Sequence, residues 1–434
     1  MTLNLKAIRR ALALVALCGL LYAEPARAAE SALAIRLDGA LDDDAWKTAR
    51  QLEAFKTVEF KVLRAVTPAG QKPQAQTTGR LFADEKYLYL GFRCEEPLMQ
   101  KLEARPLPRD GSIWTNDCIE VFIAPFARSD EYFQITVDLN GQVFDAFKRA
   151  GELDRGYDLT VRSKAQKRAG EWTMELAIPL CELGLSNLRA ARMNFGRERK
   201  PVNELTSWHG DFGKPETWQT VPLVLEKPYN VEVRDWSFGA AQYGENGLAV
   251  EFAPATPAPV GVLLQTLENG RWTNKDRKIA QSVPGQPTRF AMPYTLEPQQ
   301  EPRGIRLTLE RGGQPMFRVT RRLSLPAEAL VATATLPYSY SEENAAFLQL
   351  TSFVSASALQ KSRIRLTVKN PAGEIVATKE IRPLQQVMRA GFDISAWHTG
   401  AGTVVAELIS GGKTLSRREV EVVKRPGPFT SRRL

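Results

Sequence analysis

Along most of this chain apolar and polar residues alternate one by one, the period of a strand with one face on a core and the other towards water. The pattern predicts strands over residues 87–94, 118–124, 132–139, 172–178, 223–226, 247–252, 304–310, 363–369 and 403–409. Turn signals at Asn140-Gly141, Asn269-Gly270 and Gly411-Gly412 separate neighbouring strands. Helical periodicity is scarce after residue 28. Short, regularly spaced strands of this kind build sandwiches rather than parallel α/β sheets, so the expected fold class is all-β.

Two breaks divide the pattern. Lys227-Pro228 follows an apolar strand, and Leu325-Pro326-Ala327 separates two stretches that each carry several strand signals. The expected units are a first domain over 30–227, two smaller immunoglobulin-like sandwiches over 228–327 and 328–425, and a tail over 426–434.

The first 28 residues read differently. Lys6, Arg9 and Arg10 precede an apolar run over 11–23, and Ala26-Arg27-Ala28 has the small-x-small form of a cleavage site. The run is shorter than the roughly 20 residues that span a bilayer. A cleaved signal peptide is expected, with a secreted or periplasmic protein and no membrane span. Cleavage removes four basic residues and one acidic one, lowering the formal net charge from +9 to +6. The remaining positive residues are scattered, so no nucleic-acid partner is expected, whereas an acidic polysaccharide stays open.

Cys94, Cys118 and Cys181 would survive cleavage. Three is an odd number, and Cys94 is in phase with Leu88, Leu90 and Phe92 whereas Cys118 is out of phase with Ile119, Val121 and Ile123. Buried free thiols are expected. With His209 and His398 the only histidines, a Ser-His-Asp or Cys-His engine and a histidine-rich metal site are disfavoured. No Walker, nucleophile-elbow, zinc-protease or dinucleotide spacing is present. A carboxylate pair for glycoside hydrolysis needs no local motif and stays open. Binding without catalysis is the leading expectation.

Residues 118–124 put Ile119, Val121 and Ile123 on one side and Glu120 on the other. Residues 132–139 put Phe133, Ile135 and Val137 opposite Gln134, Thr136 and Asp138. In one sheet, Glu120 and Gln134 would share a polar face, and sugars are bound by such groups beside aromatic rings. Trp114 lies among Gly111, Ser112, Thr115 and Asn116, a loop composition in which a large ring has little to pack on.

Four segments occur in a telling order: Leu37-Asp38-Gly39 through Asp42-Asp43-Asp44-Ala45-Trp46; Leu88-Tyr89-Leu90; Ile113-Trp114-Thr115-Asn116-Asp117 through Ile123; and Trp172-Thr173-Met174-Glu175 through Pro179. Together they resemble the family 9 carbohydrate-binding module over residues 37 to about 225. The resemblance implies a β-sandwich that holds a poly- or oligosaccharide between two tryptophans, carries structural calcium and is often joined to a glycoside hydrolase partner. Trp114 matches the first tryptophan, Glu120 a hydroxyl-binding acid and Trp208 the second tryptophan, with Trp218 an alternative. Gln134 stands where one type of member has arginine, and Arg197, in Asn194-Phe195-Gly196-Arg197, is a further candidate for the groove. Asp38, Asp42 and Asp43 are the candidate calcium ligands, against the plain reading of a solvated acidic turn. Trp46 and Trp172 read as core. Two alternatives remain: a haem-binding cytochrome-like sandwich using His209 with Met99, Met174 or Met193, and an accessory subunit with hydrolytic activity.

Overall fold

The structure, a computed structural model, describes residues 34–427 apart from 59, 63–64, 68, 126–129, 186–189, 224–230, 255–258, 269, 282 and 299–302. The signal segment, the Lys227-Pro228 break and most of the tail lie outside the described residues. Helix among the described residues is confined to short turns, none long and apolar enough to cross a membrane.

The N-terminal strands are β1 (Arg50–Leu52), β2 (Lys56–Thr57), β3 (Phe60–Val62), β4 (Ala65–Thr67), β5 (Thr77–Ala83), β6 (Tyr87–Glu95), β7 (Cys118–Ala124), β8 (Tyr132–Asp138), β9 (Val143–Arg149), β10 (Glu152–Asp154), β11 (Arg162–Arg168), β12 (Glu171–Pro179), β13 (Ala190–Arg199), β14 (Glu204–Ser207) and β15 (Gln219–Pro222). β3 and β4 pair only with each other; the rest form a five-stranded sheet, β1-β5-β6-β12-β11, and a larger one, β10-β9-β8-β7-β13-β14-β2, with β15 also on β13. Period two fills the space between the sheets. Leu88, Leu90, Phe92, Trp172, Met174 and Leu176 meet Ile119, Val121, Ile123, Phe133, Ile135 and Phe195, all buried. Residues of the other parity face outward, and the candidate site lies there.

Two further pairs of sheets follow. β16 (Val231–Ser237), β17 (Gly244–Pro254) and β20 (Thr288–Leu296) face β18 (Val260–Glu268), β19 (Arg271–Ala280), β21 (Arg303–Arg311) and β22 (Gln314–Leu323), in the orders β16-β17-β20 and β19-β18-β21-β22. The last pair joins β23 (Leu330–Ala334), β25 (Ala345–Ser352) and β28 (Val387–Asp393) to β24 (Ser339–Tyr340), β26 (Ser362–Lys369), β27 (Ile375–Ile381), β29 (Gly400–Ser410) and β30 (Lys413–Arg425), ordered β23-β25-β28 and β24-β30-β29-β26-β27.

The first pair of sheets is stitched to the second. The backbone N–H groups of Arg318 and Arg322 donate to Cys181 O and Gly156 O at 2.9 and 2.6 Å. The Arg322 guanidinium bridges Asp110 and Asp158 at 2.7 and 2.8 Å. Arg149 pairs with Asp235 at 2.8 Å and lies over Trp236, whose indole donates to the Tyr157 hydroxyl at 2.7 Å. Cys94, Cys118 and Cys181 are buried free thiols, and burial, the largest cause, pushes Cys94 and Cys181 up to about 12 and Cys118 upward too.

Candidate functional site

The outward face of the larger sheet is set by its register. Glu120 of β7 lies opposite Thr136 of β8 and Gly196 of β13, and Thr136 lies opposite Phe144 of β9. One row therefore reads Gly196, Glu120, Thr136, Phe144. The next, by the same pairings, reads Asn194, Phe122, Gln134, Ala146.

Trp114 sits at one end of this face on a single 3-10 turn, Ile113–Thr115. Buried Asn116 holds that turn, donating to Asp138 Oδ2 at 2.7 Å and to Arg105 O at 2.8 Å, and the Asp117 carboxylate accepts from the N–H groups of Glu103 and Lys200. The Asn-Asp pair thus anchors the turn and leaves the indole half-buried, its edge against Phe144 with centroids 5.2 Å apart. The Arg155 guanidinium lies 6.0 Å from the indole centroid.

Glu120 and Gln134 meet as the pattern predicts: Gln134 Nε2 donates to Glu120 Oε2 at 3.0 Å. Glu120 is only 4% exposed. Burial first, and then the nearby Glu198 carboxylate, push its acid up to about 8, and the two side chains share a hydrogen bond. A protonated Glu120 is the donor such a pair requires. Lys200 closes the chain by pairing with Glu198. Beside Glu120 the Thr136 hydroxyl is fully buried and makes no hydrogen bond. Sequence reasoning missed Glu198, although its parity on β13 matches that of Gly196.

The other end of the face differs from expectation. Trp208 does not face Trp114: its backbone N–H donates to Phe195 O at 2.8 Å and its ring packs on Phe195, a residue of the inter-sheet core, with centroids 5.5 Å apart. The loop after β14 instead brings Phe212 and Trp218 onto Phe122, at 4.8 and 5.5 Å. Phe212 lies so close over Gly196 that a Cβ there would sit 2.0 Å from its Cζ. A glycine inside a strand marks such a close approach, and Gly196 was the available signal. Asn194 fixes the loop, its side chain bonding Ser207 Oγ and accepting from the His209 N–H at 2.9 Å.

Arg197 is a correction. Opposite Glu120 stands Gly196, so alternation turns Arg197 to the other side. Its guanidinium is buried between the sheets, 3.0 Å from Glu96 Oε2 and over the Trp172 ring at 5.5 Å. Arg199 grips the same carboxylate at 2.7 and 2.9 Å. Burial alone would raise the Glu96 acid, but the Arg199 hydrogen bonds and both positive charges outweigh it and hold it below the usual range.

The candidate calcium turn has other partners. Asp38 Oδ1 accepts from the Ala40 N–H at 2.9 Å, and Oδ2 pairs with Arg36 at 2.7 Å. Asp42 lies 3.7 Å from the same guanidinium, and Asp43 keeps one buried oxygen without a hydrogen bond. No group of three or more His, Cys, Asp or Glu among the described residues is arranged to hold a metal. Asp38 and Asp42 turn to Arg36 while Asp43 keeps a free oxygen, so the three carboxylates do not converge on one cation position. Among the haem candidates, Met99 lies partly buried on the 3-10 turn Met99–Lys101. His209 is exposed with Nδ1 2.9 Å from Thr217 O, whereas Met174 and Met193 are in the core.

The family model described as "Carbohydrate family 9 binding domain-like" matches residues 37–201, well under half of the chain. No curated protein sequence matches this chain. Similar solved structures include a family 9 carbohydrate-binding module from Caldicellulosiruptor kristjanssonii in complex with cellotriose, at 15% identity and TM-score 0.32, covering 44% of this chain and 91% of that one. The same module in complex with glucose gives 15% and 0.33, covering 44% and 93%. A putative carbohydrate-binding protein from Bacteroides uniformis gives 15% and 0.31, covering 40% and 87%.

Proposed function

We propose that the first sandwich binds carbohydrate on the outer face of its larger sheet, without catalysis. The observation that carries this reading is the half-buried Trp114 beside the partly exposed Gln134, with Glu120 and the unpartnered Thr136 hydroxyl buried directly beneath, within the segment matched by the family model. A sugar ring stacked on the indole would place its hydroxyls over the Gln134 amide, which Glu120 orients from below. The partly exposed Phe212, backed by the buried Trp218, stands where a second aromatic wall belongs. Glu120 and Glu198 share a hydrogen bond, a separation too short for glycoside hydrolysis, whose paired carboxyls stand roughly 5–10 Å apart.

The test is calorimetric titration of the full chain with cellotriose and with xylan fragments. Binding that is lost in Trp114→Ala supports the reading; failure of both sugars to bind the folded protein, or unchanged binding in the variant, sinks it.

The same proposal places the protein outside the cytoplasm, as a partner of glycoside hydrolases in polysaccharide breakdown. It is supported by the signal pattern ending at Ala28 and by the strand orders of the two later pairs of sheets, which suit immunoglobulin-like spacers. Amino-terminal sequencing of the mature protein should begin at Ala29; an intact Met1 in the exported fraction would refute cleavage.

A further inference from the structure

The smaller sheet has an outward face of its own, on the opposite side of the sandwich from Trp114. A groove of about 480 Å³ crosses it, lined among others by Glu53, Thr78, Arg80, Arg93, Arg168 and Glu171. The register explains why these side chains converge. Arg80 of β5 is opposite Gly91 of β6, Arg93 is opposite both Thr78 and Thr173, and Arg168 of β11 is opposite Glu171 of β12. Gly91 has no side chain to fill the middle, since Leu41 and Trp46 already crowd the space its Cβ would need.

The charges are not balanced pair by pair. Arg93 is neutralised by Glu171 at 2.6 Å. Among the described residues Arg168 reaches only neutral acceptors, Ala40 O at 3.3 Å and Gln166 Oε1 at 3.4 Å. Arg80 is half-buried and makes no ion pair with any described carboxylate. Their strands lie three steps apart, roughly 14 Å across the sheet at ordinary strand spacing. No aromatic ring lines the groove, so apolar stacking contributes nothing there.

We propose that this groove is a second binding site, for an anionic oligosaccharide whose carboxylates or sulfate esters engage Arg80 and Arg168 while its hydroxyls reach Arg93, Glu171 and Thr78. Guanidinium favours planar oxyanions and forms its strongest hydrogen bonds with them. The spacing of the two guanidiniums selects an oligomer carrying repeated charges over a single charged sugar. Recognition by charge without stacking also makes the site sensitive to salt.

The test uses the full chain at low salt with a galacturonate octamer as the carboxylate probe, dextran sulfate as the sulfate probe and cellohexaose as the neutral control. At least one anionic probe binds, and which one does identifies the source of charge. The Arg80→Ala/Arg168→Ala double variant should weaken it roughly tenfold or more, with the lysine pair restoring part of the loss. Raising NaCl should weaken it too. Trp114→Ala should leave it unchanged, as should Arg271→Ala/Lys278→Ala, which removes two charges from the exposed strand β19. Absence of binding by both anionic probes, equal losses in the two double variants, or displacement by cellohexaose would overturn the proposal. Cellotriose binding, on the other sheet, reports the first site separately.

Discussion

The indole N–H of Trp46 donates to Glu175 Oε1 at 2.9 Å across the outer face of the smaller sheet. The same carboxylate accepts from the backbone N–H groups of Asp38, Gly39 and Leu41, so one buried acid holds the whole opening turn. That explains why the Asp-Gly…Trp segment and the Trp-Thr-Met-Glu segment occur together: they are two halves of one clamp. Trp46→Ala removes a fully buried ring and one of the bonds to Glu175. The expected cost is about 3–5 kcal/mol, a fall in Tm of roughly 6–20 °C by calorimetry.

Trp114→Ala should behave oppositely. Its ring is half-exposed and its turn is held by Asn116 and Asp117, so Tm should move little. Sugar affinity should fall by about 2 kcal/mol, roughly thirtyfold in Kd. Paired melting and titration curves separate the two outcomes.

Glu120 makes stability depend on pH. Its acid is raised in the folded state to about 8 against an ordinary value of 4.5, so the folded protein holds a proton that the unfolded chain has lost across that interval. The contribution is fully present below about pH 4.5, declines as pH rises towards 8 and is flat beyond. Glu120→Gln should flatten that decline and raise Tm at pH 9 relative to the parent. A steeper decline in the variant would contradict the assignment.

Gly196→Ala should push Phe212 off the sheet, because the added methyl occupies the ring's place. Phe212→Ala creates the space, so the double variant should be more stable than the sum of the single losses implies. Thermal melts of the four proteins measure the coupling.

Replacing Glu96 by Gln leaves Arg197 and Arg199 buried without a full counter-charge. A loss of about 3–5 kcal/mol is expected in urea unfolding. Sugar affinity, measured where the variant is still folded, should not change, because Arg197 faces away from the groove.

Alternation made the strands and their faces legible in the sequence. Residues 118–124 form a strand with those bounds, and Glu120 and Gln134 share a face because period two leaves them no other. Of the rings that pack on Phe122, Trp218 was named only as an alternative to Trp208, and Phe212 was not named at all. Trp208 and Phe212 lie four residues apart in a loop, where no periodicity says which ring faces which side. Arg197 was misread because the motif drew attention to the residue type, while its parity with Phe195 already placed it in the interior. The clamp on Glu175 was invisible for another reason, since its halves are more than a hundred residues apart and no local rule links them.

The seam between the first two sandwiches bears on how separable the first one is. Cut free after β15, that sandwich would keep Trp114, Glu120 and Gln134, yet Asp110 and Asp158 would lose Arg322, and the carbonyls of Gly156 and Cys181 would lose their donors. It is not a bead that can be slid along a string. The aim of its larger sheet's outer face is set by the neighbour it leans on, so a glycan bound there as proposed would be held at a fixed bearing to that neighbour instead of swinging on a tether.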